Sequence, residues 1–241
     1  MAQADFLRTR VAEGLADRLE LIGRDFPFAL DLGSRGGAMA RALAAQSSCR
    51  VDTLFSSDLS ARLVGRPGVV LDEERLPFRP AAFDLVVSGL ALHWTNDLPG
   101  VLTQVRRVLK PGGVLLATLF AGATLVELRR VLLEAETEVG GGAGWRVAPF
   151  ADPRDLTGLL QRAGFADPTG EIETITVRYA AVTALLTDLR GMGESAVMHD
   201  RGPPLRRMAI VRAEELYRER YGAADGRLPA TFEIVTLTGR A

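Results

Sequence analysis

The sequence predicts an α/β fold: a Rossmann-like, doubly wound, seven-stranded sheet with its last strand antiparallel and helices on both faces. Short apolar runs alternate with helical patterns through the first half of the 241-residue chain. Strands separated by helices of about 10–15 residues pair in parallel through right-handed crossovers. A polar–apolar alternation near the C-terminus predicts the closing strands. We expect a single domain over residues 1–241, with a substrate-covering insertion at about 180–228.

Hydrophobic periodicity predicts the elements in order. The first is an amphipathic helix, because its apolar residues recur every three or four positions: Leu7, Val11, Leu15, Leu19 and Ile22. The pattern then predicts a strand at 28–32, a helix at 38–45, strands at 51–55, 69–71 and 83–87, a helix at 98–109 and a strand at 113–120. The second half predicts helices at 125–139 and 153–163, a strand at 172–179, helices at 185–189 and 209–221, and a strand at 231–238. Residues 140–144 and 191–204 are predicted loops.

Composition excludes several classes of protein. The 29 basic and 30 acidic residues give a net charge of −1, which argues against a dedicated nucleic-acid or anionic-membrane binder. One cysteine excludes an internal disulfide framework, and two histidines leave little material for a metal site built by the protein. The longest apolar run, 114–121, is far short of the roughly 20 residues that cross a bilayer.

The N-terminus and the choice of basic residues bear on localisation. The first ten residues have no apolar core of the kind found in a secretory signal. Lys110 is the only lysine beside 28 arginines, a skew that indicates a GC-rich, bacterial coding sequence. We therefore expect a cytoplasmic bacterial protein without a transmembrane segment.

A glycine-rich turn carries the strongest chemical information. The stretch LDLGSRGG, from Leu30 to Gly37, leaves a predicted strand and opens a predicted helix. Such a turn lets a ligand approach the backbone where a Cβ would obstruct it, although a tight turn without a ligand would also use glycines. Asp58 lies 21 residues beyond Gly37, where nucleoside-binding α/β folds place the carboxylate that accepts the ribose hydroxyls. Asp52 lies at the start of the same strand, the wrong end of the sheet.

The motifs ALDLGSRGG, SSDLS, LDEERLPF, FDLVVSGLALHW and VLKPGGVLLATLF occur in the order and spacing of class I S-adenosylmethionine-dependent methyltransferases. The resemblance continues through FAGATLVEL, LLTDLRGMGES and LPATFEIVTLTG, so it covers nearly the whole chain. These later segments resemble the branch that contains the malonyl-carrier-protein methyltransferase of biotin synthesis. They are more similar still to the methyltransferase-like assembly factor of respiratory complex I, whose family is reported to hydroxylate an arginine of a complex I subunit.

The resemblance implies S-adenosylmethionine as cofactor and a set of residues that bind it. It implies Asp31, Gly33, Ser34 and Gly37 for the methionine part, Asp58 for the ribose, Asp72 and Glu73 for the adenine, and Ser88 and Gly89 beside the methionine. His93 and Trp94 would face the transferred group, and they are the candidates for a catalytic role. An equally good interpretation is that His93 has a structural role and packs beside Trp94. Because His93 and His199 come from separate regions, we expect no metal site.

One residue departs from the family. Arg35 stands where the family usually has glycine. Its side chain has three possible arrangements: it points into solvent, it forms a salt bridge with the carboxylate of the cofactor in fork geometry, or it blocks the pocket. We expect the first, because the outer positions of a tight turn usually face water.

Two functions follow from these observations. The first is transfer of a methyl group from S-adenosylmethionine to a small-molecule or protein acceptor, which the sequence does not identify. The second is a complex I assembly factor that hydroxylates an arginine of a client subunit or chiefly binds it. A cofactor-binding relic without chemistry is a third possibility, for which Arg35 is the main argument. The oligomeric state is not predicted.

Overall fold

The computed structural model describes residues 5–46, 50–140, 142, 144–195 and 204–241. They fall into two compact units. The larger unit comprises Phe6–Phe120, Asp152–Glu173 and Val235–Ala241. The smaller unit comprises Met1–Asp5, Ala121–Ala151 and Thr174–Ile234. The single domain expected from the sequence stays a prediction.

Seven strands form a mixed sheet. They are β1 (Phe26–Leu32), β2 (Val51–Asp58), β3 (Gly68–Val70), β4 (Phe83–Gly89), β5 (Leu109–Phe120), β6 (Ala166–Tyr179) and β7 (Leu228–Arg240). Their order is β3-β2-β1-β4-β5-β7-β6, with β1 to β5 pairing in parallel. The last strand is antiparallel, so the predicted Rossmann-like fold class is confirmed.

Seven α-helices are present among the described residues. They are α1 (Phe6–Ile22), α2 (Ala38–Ala44), α3 (Leu98–Val108), α4 (Val126–Gly140), α5 (Pro153–Arg162), α6 (Val182–Gly191) and α7 (Arg207–Tyr221). A short 3-10 helix covers Leu92–Trp94. Capping side chains explain where two of these helices begin. Asp97 and Asp152 cap α3 and α5 by accepting hydrogen bonds from backbone N–H groups, and each helix has a proline in its first turn.

The core of the larger unit lies along its central strands. Leu30 and Leu32 of β1, Val86 of β4 and Leu115 of β5 are completely buried. The sequences of these strands are nearly continuous apolar runs, as expected of parallel strands that are covered on both faces. Helix α1 contributes the buried stripe that its periodicity predicted, except that Ile22 at its end is 37% exposed.

Two strands, β5 and β6, begin four or more residues earlier than the sequence predicted. In β5, Leu109 pairs with Phe83, and an irregularity in the register precedes the regular pairing of Val114 with Leu85. The strand passes through Lys110, Pro111 and Gly112, which the sequence placed between a predicted helix and a predicted strand. Strand β6 begins at Ala166 and runs through Pro168. Proline is tolerated there because β6 is an edge strand of the sheet, where a residue without an N–H donor can face away from the neighbouring strand.

In the smaller unit, α4 and α7 pack together and are joined by salt bridges at their surface. Arg212 pairs with Glu138 at 2.6 Å, and Arg220 pairs with Glu134. Tyr217 is completely buried and its hydroxyl donates to the carbonyl of Pro229 at 2.7 Å. We infer that this tyrosine is a core residue of the helix pair. No described helix is both long and apolar enough to span a membrane.

The hydroxyl of Tyr217 allows a direct test of this packing. We expect Tyr217→Phe to lower the free energy of unfolding by about 1 kcal/mol, because the hydrogen bond from the buried Tyr217 to the carbonyl of Pro229 is lost. Tyr221→Phe is the matched control, since Tyr221 is half-buried and lies 5.7 Å away between ring centroids. Urea unfolding of both variants measures the difference, and equal stabilities would show that the hydrogen bond contributes nothing.

Candidate functional site

The glycine-rich turn joins β1 to α2 at the carboxyl edge of the sheet. The N–H of Ser34 donates to the carbonyl of Ser57 at 2.7 Å, which ties the turn to the end of β2. Gly33, Gly36 and Gly37 all have left-handed backbones, with φ of 74°, 91° and 76°. At Gly33 a Cβ would also lie 2.4 Å from the Cβ of Ala91. Glycine is therefore required at position 33 by the internal packing of the turn, with or without a ligand.

Two of the predicted serines use their hydroxyls inside the protein frame. The hydroxyl of Ser34 donates to the carbonyl of Leu63 at 3.1 Å and accepts from the hydroxyl of Ser56 at 2.8 Å. The hydroxyl of Ser88 donates to the carbonyl of Leu32 at 2.7 Å, and Ser88 is completely buried. Ser34 lies in the turn after β1 and Ser88 lies within β4, and both side chains hold neighbouring segments of the protein together.

Asp31 is the most unusual ionisable group of the larger unit. It is only 2% exposed, and its Oδ2 atom accepts no hydrogen bond from the described residues. Burial, and then the negative charge of Asp58, raise the pKa of Asp31 to about 7. A buried carboxylate oxygen without a donor is costly, so the site is suited to a ligand that supplies a donor or a positive charge.

Asp58 ends β2 and holds the turn from the other side. It is 6% exposed; its Oδ2 accepts from the backbone N–H of Arg35 at 3.0 Å and its Oδ1 from that of Ser60 at 2.9 Å. Asp52, the acid that we rejected, is exposed at the start of the strand and pairs with Arg50 at 2.5 Å. Asp58 is therefore the acid that is hydrogen-bonded to the glycine turn, whereas Asp52 lines a separate surface pocket together with Asp31 and Gly37.

Asp72 and Glu73 follow β3 at the same edge of the sheet. Asp72 is exposed and its carboxylate accepts from the N–H of Glu74 at 2.9 Å. Glu73 is half-buried, and its carboxylate faces the turn, since a Cβ on Gly33 would lie 3.2 Å from its Oε1. Burial raises the pKa of Glu73, the charges of Asp58 and Asp72 act in the same direction, and a backbone hydrogen bond and Arg35 oppose them.

A narrow pocket opens beside the turn, with about 280 Å³ of empty space including its mouth. Asp31 and Gly89, both predicted site residues, line it. Arg8 of α1 and Met39 of α2 also line it, and the sequence did not identify them. One sequence signal could have identified Arg8: it precedes Ala12 by one helical turn and lies beside the apolar stripe of α1.

Arg35 lies beside the pocket. It is half-buried and is among the residues that line the pocket, and our expectation that its side chain points into solvent stays a prediction. Its positive charge acts on Glu73, whose pKa it lowers. Its backbone φ of 44° lies in the left-handed region, which explains why a related turn would carry glycine at this position.

His93 and Trp94 lie in the short 3-10 helix after β4. The ring of His93 lies 5.4 Å from that of Trp94 and 4.9 Å from that of Phe120, between centroids. Both His93 and Trp94 are half-buried. His199 and Cys49 lie outside the described residues. Within the described part of the chain, no three His, Cys, Asp or Glu side chains are grouped so that they could hold a metal ion.

The raised pKa of Asp31 predicts a pH-dependent stability. An acid whose pKa rises on folding stabilises the protein below its unfolded value, near 3.8, and this contribution is lost as the pH rises to about 7. We expect Asp31→Asn to become more stable relative to the parent chain over that interval, by up to about 4 kcal/mol. Urea unfolding at a series of pH values measures it. Asp52→Asn is the control, and a parallel profile for both variants would contradict the burial argument.

The left-handed backbone of Arg35 predicts a second stability effect. We expect Arg35→Gly to raise the free energy of unfolding by about 1 kcal/mol, because glycine adopts a positive φ without the steric cost of a Cβ. Arg35→Ala removes the same side chain but keeps the Cβ, so it should give no such gain. Thermal unfolding of the pair measures the difference; if the alanine variant gains as much, the backbone is not strained.

Comparisons with known proteins agree with this fold. A family model described as "Methyltransferase domain" matches residues 30–117. The mouse protein "Arginine-hydroxylase NDUFAF5, mitochondrial" is 42% identical over 98% of this chain and 70% of its own length. The "Malonyl-[acyl-carrier protein] O-methyltransferase" of Halorhodospira halophila is 35% identical over 95% of this chain and 79% of its own length.

A solved structure supports the architecture. The YcgJ protein of Bacillus subtilis aligns with a TM-score of 0.62 at 15% sequence identity, over 94% of this chain and 97% of that one. The fold, the acids at the strand ends and the sequence relatives lead to the same conclusion. This chain belongs to the class I S-adenosylmethionine-dependent methyltransferase family, in the branch that contains the arginine-hydroxylase NDUFAF5 and the malonyl-[acyl-carrier protein] O-methyltransferases.

Proposed function

We propose that this chain binds S-adenosylmethionine at the glycine turn and transfers its methyl group to a small-molecule or protein acceptor. The observation that carries the proposal is the open oxygen of Asp31, buried in a pocket beside that turn. A carboxylate in this position suits a ligand that brings a positive charge. S-adenosylmethionine carries two such charges, an ammonium group and a sulfonium group.

The residues around the turn fit the rest of the cofactor. Asp31 would accept from the ammonium group, and Asp58 at the end of β2 would accept from the ribose hydroxyls. Asp72 would accept from the adenine amino group, with Glu73 beside it. The fixed turn places these acids along one edge, because the carboxyl ends of parallel strands coincide there.

Little acid–base chemistry is required of the protein. When bound, the cofactor supplies a methyl group that its sulfonium already activates. The chain must then hold the acceptor in line and exclude water, which is a matter of positioning. His93 and Trp94 stay candidates for residues that face the acceptor. The ring of His93 packs against the rings of Trp94 and Phe120.

Arginine hydroxylation is the second candidate. The specific observation in its favour is that the mouse relative named as an arginine-hydroxylase is 42% identical, against 35% for the malonyl-[acyl-carrier protein] methyltransferase of Halorhodospira halophila. In this case the client would be a protein with an accessible arginine, and the sequence resemblance implies a subunit of respiratory complex I. The cofactor pocket would be the same.

The ribose acid is tested by comparing two variants. We expect Asp58→Ala to weaken the binding of S-adenosylhomocysteine by about 2–4 kcal/mol, because a carboxylate that accepts two hydroxyls is lost. Asp52→Ala, on the same strand, should bind as the parent chain does. Titration calorimetry gives both affinities, with circular dichroism to confirm that each variant is folded. Equal affinities would place the ribose elsewhere.

The reaction is tested with a labelled cofactor. The protein is incubated with methyl-labelled S-adenosylmethionine and malonyl-[acyl-carrier protein], or with methyl-labelled S-adenosylmethionine, arginine-containing peptides, dioxygen and a two-electron reductant, since hydroxylation of a C–H bond consumes both of the last two. The products are weighed by mass spectrometry. Methyl transfer predicts a gain of one CH₂ that carries the label. Hydroxylation predicts a gain of one oxygen without the label. A protein that binds the cofactor and modifies neither acceptor would contradict both candidate reactions on these substrates, and Asp31→Ala controls for contaminating enzymes.

A further inference from the structure

The loop between β3 and β4 carries Asp72 and Glu73, and it has no regular secondary structure of its own. Leu71 begins the loop by donating its N–H to the carbonyl of Asp58 at 3.2 Å, which fixes where the chain leaves the sheet. An Asx turn follows, in which the N–H of Glu74 donates to Oδ1 of Asp72 at 2.9 Å. The position of the two acids therefore depends on what holds the residues that come after them.

Gln104 of α3 binds the backbone of this loop at two points. Its Oε1 accepts from the N–H of Leu76 at 2.9 Å, and its Nε2 donates to the carbonyl of Glu74 at 2.7 Å. One amide side chain thus satisfies a backbone donor and a backbone acceptor on either side of Arg75. Gln104 is half-buried and Leu76 is only 5% exposed, so these hydrogen bonds are partly shielded from water.

Arg107 extends the same contact from the next turn of α3. Its guanidinium donates to the carbonyl of Leu76 at 3.0 Å. Gln104 and Arg107 are three residues apart, a spacing that places them on one flank of the helix. The helix itself is held in the core by the buried residues Val101, Leu102, Val105 and Val108. A helix fixed in this way gives its polar flank a defined place from which to hold the loop.

Glu74 fastens the loop to the residues that begin α3. Its Oε1 accepts from the backbone N–H of Asn96, from Nδ2 of the same residue at 3.2 Å and from the N–H of Asp97 at 3.4 Å. Asp97 is also the residue that caps α3. The side-chain contacts of Glu74, Gln104 and Arg107 therefore all join the loop to one segment, residues 96–107, which determines where the loop lies.

We propose that Gln104 and Arg107 are positioning residues for the adenine end of the cofactor. By holding the backbone of Leu76 and Glu74, they set where the carboxylates before them meet the base. The inference rests on the proposed function, since it concerns the same ligand. It makes selectivity for adenine depend on α3, a helix in which the sequence predicted no site residue.

The test compares two ligands that differ at one position of the base: S-adenosylhomocysteine and S-inosylhomocysteine, in which a carbonyl oxygen replaces the amino group. Titration calorimetry is carried out on the parent chain, Gln104→Met and Gln161→Met. Methionine has nearly the length of glutamine, but it donates no hydrogen bond and accepts one only weakly. Gln161 is the matched control, because it is exposed in the last turn of α5. Circular dichroism and thermal unfolding show whether each variant is folded.

We expect the parent chain to bind S-adenosylhomocysteine at least about tenfold more tightly than S-inosylhomocysteine, because the inosine base lacks the donor for a carboxylate of the loop. In Gln104→Met this ratio should fall towards one through weaker binding of S-adenosylhomocysteine alone. Gln161→Met should keep the ratio of the parent chain. If Gln104→Met does not fold, the same comparison on Arg107→Met decides, and the same fall is expected.

A ratio that survives the substitution on α3 would overturn the inference. An equal loss of affinity for both ligands would also overturn it, since that is what a purely structural role predicts. A parent chain that binds both ligands equally would overturn the inference and leave cofactor binding intact. A parent chain that binds neither ligand would overturn the proposed function as well.

Discussion

The parallel pairing of β1 with β2 is the constraint on which the site depends. It sets Asp31 and Leu32 beside Ser56 and Ser57, so the glycine turn that leaves β1 meets the end of β2. Two hydrogen bonds then close the turn, one between backbone groups and one onto the carboxylate of Asp58. A shift of either strand by one residue would turn the side chains of that strand, including its acid, to the opposite face of the sheet.

Burial of Asp31 is the main energetic compromise of the larger unit. A buried carboxyl group with an open oxygen destabilises the free protein once it ionises, and this explains its raised pKa. The same feature is what a cationic ligand can use, because the desolvation has already taken place before binding. Stability of the free protein and affinity for a positively charged ligand therefore oppose each other at this residue.

The glycine turn shows how packing and ligand binding impose separate demands on neighbouring residues. Gly33 is required by the contact with Ala91, which no ligand is needed to explain. At position 35 the backbone conformation would also favour glycine, but the chain has an arginine there, beside the pocket.

The sequence by itself determined the fold class, the strand–turn–helix around Gly33, and the acids at the ends of β2 and β3, because hydrophobic periodicity and spacing along the chain encode which strand ends coincide. Only the tertiary structure decided which side chains reach the pocket. Arg8 lies more than twenty residues before the turn and arrives there through the packing of α1. The hydroxyls of Ser34 and Ser88 are directed to carbonyls of neighbouring segments. These contacts join residues that are distant in sequence, and local pattern carries no information about such distances.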